Sequence, residues 1–114
     1  MKRKVLTGLI VLVFVLGSTI SAVLAAAKYS NWIPANNFPN IYQQIVNRSG
    51  GNEPEAVRFA NQNQHRVKIH VVFVYRPNNA NVGDRTVYLE GGNSYSEWIE
   101  LGPNVTYSFS VNKL

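Results

Sequence analysis

The stretch RVKIHVVFVYR, residues 66–76, decides the fold class. Val67, Ile69, Val71, Phe73 and Tyr75 fall on one side of an extended chain, while Arg66, Lys68 and His70 begin the other. Side chains alternate across a strand, so the segment reads as a long strand with one buried face. Val72 and Val74 make its second half apolar on both sides, which predicts a central strand buried from both directions there.

The same alternation recurs on either side. Downstream, RTVYLE (85–90), SYSEWIEL (94–101) and VTYSFSV (105–111) each alternate. Pro77-Asn78-Asn79-Ala80-Asn81, Gly91-Gly92-Asn93 and Gly102-Pro103-Asn104 punctuate them. Upstream, Val57 and Phe59 point one way in EAVRFAN. Short strands separated by such turns predict an all-β antiparallel sandwich or small barrel of five or six strands, since the connections are too short for crossovers. The segment IYQQIVN (41–47) fits either two helical turns or a strand. Residues 28–40, with two prolines and four asparagines, read as an extended arm pinned by Trp32, Ile33 and Phe38, and 48–54 as a turn-rich connector. Over residues 55–114 this pattern resembles the immunoglobulin-like and fibronectin-like modules of exported proteins. The resemblance implies the sandwich architecture alone, because the cysteine pair that marks immunoglobulin domains is missing.

Ahead of this body, Lys2, Arg3 and Lys4 precede an apolar run from Val5 to Leu16, a break at Gly17-Ser18-Thr19 and small residues from Ala22 to Ala27. That order is a secretory signal peptide, with cleavage expected near Ala26 or Lys28. The expected organisation is a signal peptide at 1–27, an arm and connector at 28–54 and a sandwich body at 55–114, secreted or held in the cell envelope. Membrane contact is then confined to export, unless Val5 to Ala27 stays uncleaved as an anchor.

With no cysteine, thiol chemistry and disulfide stapling are excluded. The formal charge falls from +5 to +2 once Lys2, Arg3 and Lys4 leave, which weakens the argument for a nucleic-acid partner, and none is expected. Catalysis finds few parts. His65 and His70 are the two histidines, Asp84 is the single aspartate, and no Gly-x-Ser-x-Gly elbow occurs. Glu97 and Glu100 fall on opposite faces of one strand. Glu90 and Glu97 meet across the 91–93 turn only as solvated acids. The loop from Asn78 to Asp84 is too poor in acids for calcium. No enzyme, cofactor or metal is therefore expected.

Two binding surfaces are expected instead. Arg66, Lys68 and His70 make a basic stripe suited to an anionic polymer, which Arg58 on an adjacent strand joins; the alternative is pairing with Glu90, Glu97 or Glu100. Tyrosines such as Tyr88, and above all Trp98, are candidates for stacking on sugar rings. If Tyr95, Ile99 and Leu101 form the core face, Trp98 is exposed; if the faces are reversed, Trp98 anchors the core. The expected function is a secreted, non-catalytic binding module for a cell-surface polysaccharide, anionic polymer or protein partner. The alternatives are a small membrane-active protein, suggested by the Ser/Thr alternation of 105–111, and a subunit that self-associates through its edge strands. A rigid loop at 77–84 is what an enzyme inhibitor would use. Asn47-Arg48-Ser49 and Asn104-Val105-Thr106 match the glycosylation acceptor pattern.

Overall fold

A computed structural model describes residues 26–114, so the leader read at 1–27 lies outside the described residues except for Ala26 and Ala27. The described residues form nine strands: β1 (Lys28–Tyr29), β2 (Ile33–Pro34), β3 (Ile41–Asn47), β4 (Ala56–Asn61), β5 (Val67–Tyr75), β6 (Ala80–Leu89), β7 (Ser94–Tyr95), β8 (Ile99–Glu100) and β9 (Val105–Lys113). They make two antiparallel sheets. In the first, β3 pairs with β1 and β2 along one edge and with β4 along the other, and β4 then pairs with β7 and β8. In the second, β5 lies between β6 and β9.

The segment whose sequence fits helix or strand, 41–47, is a strand, paired along its length with β4. Its β-branched Ile41, Ile45 and Val46 suit a pleated surface better than a helix. Phe59 on β4 packs its ring 4.9 Å from that of Phe109 on β9, and Ile41 and Val57 share one apolar cluster with Val67, Ile69, Val71 and Leu89 of the other sheet. The two inner faces therefore close on each other. Tyr107 reaches from β9 into this layer and donates its hydroxyl to Gln43; burial raises its phenol to about 12.

Strand β5 is central, as its composition predicts, yet Val72 and Val74 are only half-buried. The strand read at 85–90 extends over 80–89, so most of the expected 77–84 loop is strand. Only a four-residue turn, 76–79, separates β5 from β6. A bulge opposite Phe73 and Val74, with Gly83 at φ 153°, accommodates the extra residue Val82. Asparagines supply other backbone corners: Asn40, Asn79, Asn93 and Asn104 all sit at positive φ, where their short polar side chains are tolerated.

Candidate functional site on the outer face of the first sheet

The site begins with an interruption. Tyr95 lies opposite Ala60, but Ile99 lies opposite Val57, so four residues advance on one strand while three advance on the other. One extra residue is thereby inserted at 96–98, and it reverses the alternation. Ser96 holds the insertion in place: its N–H donates to the Phe59 carbonyl at 2.8 Å, and its hydroxyl accepts the Phe59 N–H at 2.9 Å. After the shift, Ile99 and Leu101 are buried, while Tyr95 before it stands 58% exposed. Two expectations are corrected here. The segment 94–101 is two short strands around a bulge, and Tyr95 does not share the core face with Ile99 and Leu101. Trp98 does lie opposite the core, and it shares that outer face with Tyr95.

Between them stands Arg58. Its neighbours Val57 and Phe59 are both wholly buried, so strand alternation sends Arg58 outward from the middle of β4. Ala56 and Ala60, two residues away on each side, share its face and are buried. The Arg58 guanidinium carbon lies 4.7 Å from the Trp98 ring centre, 5.0 Å from that of Trp32 and 5.6 Å from that of Tyr95. Each distance is within cation–π range, where one contact contributes roughly 0.5–2 kcal/mol depending on desolvation. Arg58 Nε also donates to Gln44 Oε1 at 3.0 Å across the β3–β4 pair.

The arm delivers the remaining rings. Ser30 donates its N–H to the Ile45 carbonyl and accepts the Ile45 N–H on its hydroxyl, at 2.9 and 3.0 Å. Gln44 Nε2 donates to the Ser30 carbonyl at 3.1 Å, joining the arm to the residue that holds Arg58. Thus fixed, Tyr29 lies 6.0 Å from Trp98 and Trp32 lies 5.4 Å from Tyr95, centre to centre. Of the three residues expected to pin the arm, Phe38 packs against the core and Trp32 against this cluster, whereas Ile33 remains 39% exposed.

The basic stripe takes shape on the opposite side of the molecule. Arg66, Lys68 and His70 share the outer face of the second sheet, and Tyr88 stands opposite Lys68. Arg58 does not join them, because β4 belongs to the other sheet. Arg66 pairs with Glu90 at 2.9 Å and lies 5.1 Å over the Tyr88 ring, while His70 Nε2 meets Asp84 Oδ2 at 2.8 Å. The remaining ion pairs gather at one end, where Arg48 makes a two-pronged contact with Glu100 at 2.6 and 2.8 Å and Arg76 pairs with Glu53. That contact with Arg48 holds Glu100 below the usual carboxylate range. The Arg48 N–H does the same for Glu55, assisted by Ser49.

Among the described residues no three His, Asp or Glu side chains gather as a metal site, and none of their helices is long and apolar enough to cross a membrane. A groove of about 320 Å³ runs between β6 and the 95–99 bulge, bordered by Arg85, Glu97 and Tyr95, and neither histidine lines it. Of the two acceptor-pattern asparagines, Asn47 is nearly buried, and its amide closes the 47–53 turn through Ser49, Gly51 and Glu53. Asn104 is exposed. No protein-family model, curated protein or solved structure matches this chain.

Proposed function

We propose that this chain is an exported, non-catalytic binding module. In this reading its two facing sheets make a sandwich of the immunoglobulin-like or fibronectin-like kind, and the outer face of the first sheet captures a cell-surface glycan. The observation that carries the reading is the group of four rings, Tyr29, Trp32, Tyr95 and Trp98, assembled outside the core around one arginine. The domain already has a closed apolar centre on the other side of that sheet. Rings gathered on a water-facing surface leave apolar area uncovered, and such a patch marks an interaction surface. Flat rings bordered by amides and hydroxyls suit a saccharide, which presents C–H faces for stacking and hydroxyls for hydrogen bonds. The chain path supports the sandwich reading: β3 and β4 lie in one sheet, β5 and β6 in the other, β7 and β8 return to the first and β9 to the second.

Co-sedimentation of the exported chain with insoluble cell-wall polysaccharide and with liposomes, each at low and high salt, tests this. Pelleting with polysaccharide that survives high salt is expected, because ring stacking is little screened. Pelleting with liposomes alone would transfer the protein to the membrane-active class, and recovery in the supernatant throughout would reject glycan capture.

A further inference from the structure

We propose that the glycan taken by this face is acidic, with the carboxylate of a uronic sugar seated on Arg58. The inference rests on the glycan-binding reading above and names the chemical class of its ligand.

Arg58 differs from the arginines that the fold uses to neutralise acids. Arg48, Arg66 and Arg76 each face a glutamate, in Glu100, Glu90 and Glu53. Arg58 faces none among the described residues, and its partners are rings and one neutral amide. A guanidinium presents five N–H donors in a flat fork. Gln44 takes the Nε donor, and the Nη donors make no hydrogen bond among the described residues. Rings against the fork and the Gln44 anchor hold it in one orientation, so little side-chain freedom remains to be lost when a ligand arrives. The surrounding rings also displace water, which strengthens a charge contact made there.

A carboxylate matches such a fork with two parallel hydrogen bonds. A uronic sugar carries that carboxylate on the ring whose C–H face would stack on Trp98 or Trp32, so one residue of the polymer satisfies both features. The basic stripe of the second sheet is less suited to this task, since Arg66 and His70 already have acidic partners.

The test compares polygalacturonate with the same polymer fully methyl-esterified, which keeps the sugar backbone and removes the charge. The unaltered protein is expected to bind the acid form at least about tenfold tighter than the ester, the scale of one charged hydrogen-bonding contact. Arg58→Gln should erase that preference, so that the acid form binds no tighter than the ester. Arg66→Gln with Lys68→Gln should leave the preference intact. Circular dichroism of each variant confirms that it is folded. Equal binding of both polymers by the unaltered protein would overturn the acidic inference and leave glycan capture standing. A preference that survives Arg58→Gln, or that vanishes with the Arg66 and Lys68 pair, would also overturn it. Binding of neither polymer would reject the inference, and the cell-wall co-sedimentation would then show separately whether glycan capture falls with it.

Discussion

The two outward faces of this molecule begin from the same alternation and end with opposite chemistry. On the second sheet, β5 pairs with β9 over nine consecutive positions without a shift, and its one bulge, against β6, comes after Lys68 and His70, so these keep their outward place ahead of Val72 and Val74. Arg66 pairs there with Glu90, and His70 Nε2 meets Asp84 Oδ2. On the first sheet the pairing of β4 is interrupted by one inserted residue and flanked by an irregular arm. Both irregularities deliver rings to the outer face, and the charge at its centre is held by those rings. Where the second sheet's register holds, from Val67 to Phe73, its outer face carries the paired polar residues. The fault in the first sheet brings Tyr95 and Trp98 to one outer face around Arg58, the patch on which the proposed glycan reading rests.

The largest expected effect removes what the faces share. Phe59 is wholly buried and packs on Tyr107 and Phe109 across the two sheets. Phe59→Ala should lower stability by about 3–5 kcal/mol in chemical denaturation. That is a large part of the ~5–15 kcal/mol typical of a small domain, so both faces should fail together. If the outer face of the first sheet kept its ligand in this variant under conditions where the core had melted, the two faces would not depend on one support.

Next in size comes Trp98→Ala. A central ring of a binding patch carries about 2 kcal/mol, so polysaccharide affinity should fall roughly thirtyfold. Denaturation midpoints should move far less than for Phe59→Ala, because Trp98 is only half-buried and lies outside the core. Equal losses of binding and stability would mean that Trp98 is a packing residue, and the contrast between the faces would weaken.

These two positions also show how much can be read from the amino acids alone. Phe59 and the alternating runs of β5 and β9 are legible, because an unbroken period of two has one solution once a face is buried. The segment SYSEWIEL alternates just as cleanly, yet it holds two half-strands of opposite phase. The fault is carried by Ser96 bonding both backbone groups of Phe59, a long-range contact that leaves no local trace. The arm is illegible for a related reason: its strands are two residues long, and Ser30 rather than any pattern fixes them to β3. Arg58 is hidden differently. Its outward direction follows from Val57 and Phe59, but which sheet β4 joins depends on strand order, and that decided between the stripe and the rings.

A smaller effect concerns acid. Glu100 and Glu55 are held below the usual carboxylate range by Arg48, through its side chain and its N–H respectively. A depressed carboxylate contributes stability that is fully present above its unfolded value, near 4.3, and lost as pH falls through its folded value. Stability should therefore decline gently below about pH 4, and Glu100→Gln with Glu55→Gln should flatten that part of the curve. Denaturation at several acidic pH values measures it. An unchanged slope in the double variant would show that this polar end adds nothing to the first sheet.

The smallest expected effect is on the second face. Arg66→Gln breaks a contact with Glu90 in which both side chains are at least half exposed. Such a pair contributes about 0–1 kcal/mol, because solvent screens the attraction and two long side chains must be ordered to make it. Lys68→Gln removes a cation whose neighbour across the strands is Tyr88. Together they should shift the denaturation midpoint little and change binding to neutral polysaccharide less than twofold. A much larger binding loss would mean that this ladder, for all its regularity, carries the contact surface and that the rings around Arg58 are ornament to the fold. The comparison is sharpest here, because a near-zero result on one face is what gives the thirtyfold loss on the other its meaning.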